Sequence, residues 1–184
     1  MRLYLVRHAA VTVRPEVPAE RWHLSPEGRD GASALAEDPS WPDVALIYTS
    51  PEPKAVATAQ RIAAPHKLAI AIERDLREVG GRSWTSEDYR AVVRRYLAGE
   101  AVAGWEPRAE ALDRMHAAID SIAQRHPDGH VAVVSHGLVL TLWLTDLLGL
   151  DAMATFDLWN RIRFPDLAIV DPRTRRVERD FGSR

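Results

Sequence analysis

Two short apolar runs constrain the fold of this 184-residue chain more than any other feature. Leu3-Tyr4-Leu5-Val6 near the amino terminus and Val131-Ala132-Val133-Val134 in the second half are unbroken rows of β-formers. A strand with one wet face alternates apolar and polar residues. A continuous apolar run asks for cover on both faces, which a mostly parallel sheet between helical layers provides. Both runs end abruptly on reactive side chains, Arg7-His8 in one case and Ser135-His136-Gly137 in the other. Ligands of open α/β sheets bind beyond the carboxyl ends of the strands, so two histidines far apart in sequence can meet in one crevice.

The intervening segments fit that architecture. A third buried run, Val44-Ala45-Leu46-Ile47-Tyr48, leads into Ser50-Pro51-Glu52-Pro53. Proline at 53 disfavours helical geometry at Glu52, so the helix that follows begins at Pro53 and carries Lys54 in its first turn. Ser25-Pro26-Glu27 reads as a helix start, with a capping hydroxyl, a first-position proline and an acid near the positive end. Leu68 to Glu73 reads as a strand. Ser86 is expected to cap a helix whose apolar positions are Tyr89, Val92, Val93, Tyr96 and Leu97, and Pro107 opens another that turns Leu112, Met115, Ile119 and Ile122 inward. The helix after Gly137 is apolar nearly all round to Leu148, with Gly149 as its cap. Leu167 to Asp171 and Val177 to Phe181 flank a turn around Pro172-Arg173-Thr174 and read as an edge hairpin.

The expected class is therefore α/β: a mostly parallel sheet with helices on both faces, a C-terminal antiparallel edge hairpin and a small helical insertion over the active site. One domain of ordinary size accounts for residues 1–184, with 82–106 as the cap-like insertion and the Val11 to Leu24 loop bordering the crevice.

Composition narrows the chemistry. The chain has no cysteine, which removes disulfides, thiolate nucleophiles and cysteine-ligated metals. Its formal net charge of -2 offers no electrostatic case for nucleic acid or an anionic membrane, so small molecules are the expected partners. No apolar run approaches membrane-spanning length, and the start lacks the pattern of a secretion signal, which makes a cytoplasmic protein the expectation. Oligomeric state is open. Taken singly, His136 reads as a hydrogen-bonded structural residue, Glu78 as a loop acid, and Gly80-Gly81 as a turn. Trp84 and Trp105 flank the inserted helix and can wall a substrate pocket.

In combination these segments resemble the histidine phosphatase superfamily, the phosphoglycerate mutase-like family, over nearly the whole chain. Its Arg-His-Gly motif is matched by Arg7-His8-Ala9, and its Leu-Thr-Pro-x-Gly helix start by Leu24-Ser25-Pro26-Glu27-Gly28. The Ser-Pro-x-x-Arg-Ala-x-x-Thr-Ala segment is similar to Ser50 through Ala59, Leu-x-Glu to Leu76-Arg77-Glu78, and the second histidine motif to Ser135-His136-Gly137. The resemblance implies a phosphomonoester hydrolase working on a small phosphorylated metabolite without metal or cofactor. In it His8 would be the nucleophile, Glu78 the general acid and then base, and His136 and Arg7 would hold the migrating phosphoryl group.

This chain departs from the family where it matters. Lys54 stands at the second phosphate-holding arginine and offers a point charge in place of a planar fork. Arg14 follows the first motif where many members have asparagine, and is expected to lend the phosphate pocket a compensating cation. Three alternatives accompany the phosphatase. A mutase is disfavoured by the short Ser83 to Pro107 segment. A metallohydrolase using His8, His136 and Glu78 is opposed by Arg7, which would repel a divalent cation. A non-catalytic phosphoryl- or partner-binding protein on the same scaffold draws its support from Lys54.

Overall fold

In a computed structural model, residues 1–81 and 88–183 are described. Trp84 and Ser86 lie outside the described residues. Six strands form one sheet in the order β3-β2-β4-β1-β5-β6. They are β1 (Leu3–Arg7), β2 (Val44–Thr49), β3 (Ala69–Ile72), β4 (His130–Ser135), β5 (Asp166–Asp171) and β6 (Arg176–Arg179). The first four run parallel to one another, while β5 pairs antiparallel with β1 and β6 antiparallel with β5. The expected hairpin is thus the edge of the sheet, and β1 and β4 are neighbours with Arg7 opposite Ser135.

The apolar runs are doubly covered, as their composition demands. Leu3, Leu5, Val131 and Val133 join a core with α4 (Arg108–Arg125) and α5 (Gly137–Leu148). Their neighbours Tyr4, Val6, Ala132 and Val134 point the other way, into a core with Trp41 and with Ala55, Ala59 and Ile62 of α2 (Pro53–His66). One strand therefore fills two cores, because successive side chains alternate across the sheet. The helix α1 (Pro26–Leu35) starts as expected, its Ser25 side chain accepting from the Gly28 amide at 3.0 Å. Gly28 permits the close approach of the first motif: a β-carbon there would lie 1.9 Å from the Ala10 carbonyl oxygen.

Two elements differ from expectation. The inserted helix α3 (Tyr89–Leu97) is capped by Asp88, whose carboxylate accepts from the Arg90 amide at 3.0 Å. It packs Val93, Tyr96 and Leu97 against Val79, Leu138 and Leu142, on the side of the molecule where the strands end. A sixth helix, α6 (Ala152–Arg161), falls in a stretch to which the sequence reading assigns no element; Asp151 caps it by accepting from the Ala154 amide at 2.8 Å. Among the described residues no helix is long and apolar enough to cross a membrane.

Candidate active site

Parallel β1, β2 and β4 deliver their carboxyl ends to one edge. There the His8 amide donates to the Ser135 carbonyl and the Ser50 amide to the Val134 carbonyl, both at 3.0 Å. Three loops are locked together by backbone, and the side chains that follow them converge. The rings of His8 and His136 meet edge-on at 61°, with centroids 5.0 Å apart. Both are buried, at 6% and 0% exposure.

Each reactive group is held by identifiable partners. Nδ1 of His8 lies 2.8 Å from the Ala9 carbonyl oxygen. A carbonyl can only accept, so this nitrogen carries the proton and Nε2 carries the lone pair of the neutral ring. The segment is steadied from behind by Thr58, whose hydroxyl accepts from the Ala9 amide at 3.0 Å and donates to the Lys54 carbonyl at 2.7 Å. That pairing gives a physical reason for a threonine at this place in α2. Arg7 donates from Nη1 to the Ile162 carbonyl at 2.6 Å, and its guanidinium carbon lies 3.4 Å from the centroid of the Phe164 ring. A planar cation pinned on an aromatic face is pre-aimed for an anion.

His136 caps α5, its Nε2 standing 2.8 Å from the Ser50 hydroxyl and 3.4 Å from Glu52 Oε1. Glu78 is 7% exposed, and both its oxygens accept: Oε1 from the Val79 and Val139 amides at 3.0 Å, Oε2 from the Leu138 amide at 3.1 Å. Its carboxylate is docked on the first turn of α5, where helix N–H groups have no partner within the helix. Lys54, 3% exposed, donates to the Ala19 carbonyl at 2.8 Å and forms an ion pair with Glu52.

Arg7, His8, Lys54, Glu78 and His136 all line one cavity of about 520 Å³. Its remaining wall comes from the Val11 to Trp22 loop, α3, the end of α6 and Ile162 and Phe164. Among the described residues, no group of three or more His, Asp or Glu side chains is arranged to hold a metal ion.

Comparison with known proteins gives this arrangement a family. The model of the histidine phosphatase superfamily (branch 1) matches residues 3–166. The chain belongs to the histidine phosphatase superfamily. Among curated relatives, phosphoserine phosphatase 1 of Hydrogenobacter thermophilus is 28% identical over 166 aligned positions, covering 82% of this chain and 78% of that one. Among solved structures, YhfR of Bacillus stearothermophilus superposes with a TM-score of 0.79 at 22% identity, over 100% of this chain and 97% of the other. A mycobacterial glucosyl-3-phosphoglycerate phosphatase does so with a TM-score of 0.77 at 20% identity, over 99% of each chain. At those identities the structural likeness establishes the fold.

Within the superfamily frame, Arg14 is the expected site residue that the structure does not bring to the cavity. It is exposed and absent from the cavity lining. The loop is pinned by Trp22, whose indole donates to the Arg14 and Val17 carbonyls at 3.0 Å, and by a bridge between Val11 and Leu24. Val11 and Val13 line the cavity, whereas their neighbours Thr12 and Arg14 do not.

Sequence reasoning missed other members of the site. Glu52 is 6% exposed and touches three site components: Lys54, His136 and, through Oε1, the Glu78 amide at 2.8 Å. Arg114 of α4 donates to the carbonyls of Asp75 and Arg77 at 2.7 Å and of Glu78 at 3.0 Å, and is gripped by both oxygens of Glu106. Glu106 also accepts from the Gly80 amide at 2.9 Å. Glu78 thus projects from a segment stapled on its far side. Trp105, expected at the pocket, instead packs with Tyr89 and Tyr96 behind the wall and does not line the cavity.

Proposed function

We propose that this chain is a phosphomonoester hydrolase that passes the phosphoryl group through His8. The tautomer of His8 carries the proposal: with Nδ1 donating to the Ala9 carbonyl at 2.8 Å, the nitrogen that bears the lone pair is Nε2. Nε2 would attack phosphorus as the bond from phosphorus to the ester oxygen breaks, leaving a phosphohistidine. Arg7 and Lys54 supply positive charge to the phosphoryl oxygens, as does His136 in its protonated form. Glu78 would give its proton to the departing alkoxide. In the second half water attacks phosphorus, its proton passes to Glu78, the nitrogen–phosphorus bond breaks and inorganic phosphate leaves.

The acid role asks something specific of Glu78. Three backbone N–H groups donate to its oxygens in the resting site. Oε1 takes two of them and Oε2 one, so the remaining lone pair of Oε2 is the position that can carry the proton. The substrate class is a small phosphate ester, in keeping with the phosphatases among the relatives.

Rapid-quench labelling tests the proposal. With a ³²P-labelled ester under turnover, label should appear on His8, acid-labile and absent from His8→Gln. A chelator should leave the rate unchanged. Turnover retained in His8→Gln, or label never resident on the chain, overturns it.

One observation favours a second reading, a binder without turnover on the same scaffold: the Lys54 ammonium is already engaged by Glu52 and the Ala19 carbonyl. Well-folded protein inert toward a broad phosphate ester panel would establish that reading instead.

A further inference from the structure

We propose that the alcohol portion of the substrate is a flat apolar group, aryl or arylalkyl; this rests on the phosphatase function above. The cavity has two chemically distinct ends. One gathers Arg7, His8, Lys54, Glu78 and His136, and the other is walled by Val11, Val13, Trp22, Trp159, Ile162 and Phe164, with the exposed Arg90 and Asn160 at its rim. The apolar end begins immediately at the nucleophile, because the Phe164 ring lies 5.4 Å from the His8 ring. A group attached to a phosphoryl on His8 is therefore within reach of that ring.

The wall is also unusually bare. Val13 and Phe164 are 45% and 46% exposed, two of the few large apolar side chains of the described residues left open to water. Isolated exposed apolar residues need no explanation, but two facing one cavity beside the reacting atoms form a surface that a ligand can cover. Phe164 is held in place by the Arg7 guanidinium against its ring. Trp159 is fixed by stacking on Phe156 at 5.9 Å. Both rings are therefore pre-positioned platforms.

Charge points the same way. Among the described lining residues the sole carboxylate is Glu78, at the phosphoryl end. An ammonium group on the alcohol would find no counter-ion along the apolar wall, and a carboxylate could be met only at the rim by the exposed Arg90, where water screens the pair. The cavity volume of about 520 Å³ is ample for a ring system beyond the phosphoryl group.

The test compares esters whose leaving alcohols do not favour the proposed class by their own acidity: 2-phenylethyl phosphate, ethyl phosphate, phosphoserine and 3-phosphoglycerate. Phenylethanol and ethanol are similar acids, and serine is the stronger one, so a preference for the first ester must come from the wall. Removing roughly 60 Å² of ring surface from water is worth about tenfold. The expected result is a kcat/KM for 2-phenylethyl phosphate at least tenfold above each of the others. Val13→Ser and Phe164→Ser should each cut the phenylethyl to ethyl ratio about threefold or more, a ratio that general damage would leave alone. If ethyl phosphate, phosphoserine or 3-phosphoglycerate is turned over as well or better, the apolar class is overturned while the phosphatase stands. If none of the four esters nor 4-nitrophenyl phosphate is hydrolysed by folded protein, the phosphatase itself is overturned and this inference with it.

Discussion

Glu52 holds Lys54 in an ion pair inside the candidate site, the two side chains 6% and 4% exposed. An anion is thereby built in directly behind a cavity lined by Arg7, Lys54 and two histidines. The same carboxylate lies 3.4 Å from His136 Nε2 and accepts from the Glu78 amide, so one acid ties together a cation, an imidazole and the backbone of the proposed general acid. Where the family uses an arginine fork, this chain has a lysine whose flexible stem is given a direction by its neighbour two residues earlier.

Glu52→Gln should consequently tighten the grip on product. The amide oxygen can still accept from the Glu78 N–H, but an NH2 group then faces the Lys54 ammonium and the ion pair is gone. Lys54 is released toward the cavity, and the built-in negative charge disappears. Competitive inhibition by inorganic phosphate should strengthen about fivefold, roughly 1 kcal/mol. An unchanged or weaker inhibition constant at fixed pH would show that Glu52 does not set anion affinity.

Gly137→Ala offers a case in which catalysis and stability part company. A β-carbon at 137 would lie 2.9 Å from the Arg7 guanidinium carbon, so the cation must shift from its place in the cavity wall. Gly137 opens α5, where alanine is the better helix former. The melting temperature should stay within about 3 °C, since 1 kcal/mol shifts a domain of this size by only a few degrees. KM should rise about tenfold, the loss of one charge-assisted contact. Equal loss of stability and affinity would point instead to general disruption.

How much of this was readable from the chain depended on how local the cause was. Strands β1 and β4 were legible because a strand buried on both faces must be apolar throughout. The α1 start was legible because Ser25 and Pro26 act within one turn. Gly149, at φ 67°, ends α5 for an equally local reason. Glu52 and Arg114 were not legible, since their partners Glu78, His136 and the Asp75 to Glu78 carbonyls lie tens of residues away. Nothing in Pro51-Glu52-Pro53 distinguishes a structural acid from a solvated one. Arg14 misled for the converse reason: proximity in sequence to the first motif suggested a role that the alternation around Val13 denies it. The α6 start did carry a local signal, Asp151 before Ala152 and Met153, but its apolar stripe is short and follows directly on another helix.

Arg114 is expected to be the most sensitive position outside the proposed catalytic residues. Its side chain is 8% exposed and satisfies three carbonyls as well as Glu106. Arg114→Met takes a donor from those three carbonyls and leaves the half-buried Glu106 carboxylate with only the Gly80 amide and the outlying Arg77, which costs about 2–4 kcal/mol. Urea unfolding measures that loss. The double variant Arg114→Met with Glu106→Gln should recover part of it, because the charge that lost its closest partner is removed. A single-variant loss below about 1 kcal/mol would mean that the staple behind Glu78 contributes little.

The same staple fixes the acid limit of the fold. Burial by itself would raise the Glu106 carboxyl, but hydrogen bonds from Arg114 and the Gly80 amide outweigh it and hold the group below its ordinary value. Asp38 is likewise depressed: burial pushes it up, and hydrogen bonds from Ser40 and Arg179 bring it down further than burial raises it. For such groups the unfolded chain binds protons more readily than the folded one as pH drops. Their contribution is therefore fully present above the ordinary carboxylate range, about 4, and is lost as pH falls through the lower folded values. Melting temperature should be flat with respect to these groups from pH 7 to about 5 and should fall steeply below about 4. Glu106→Gln should start lower and descend less steeply over that interval, since one of the protons taken up on unfolding is gone. A wild-type and variant pair with parallel acid limbs would mean that Glu106 is not a group whose protonation unlatches the segment carrying Glu78.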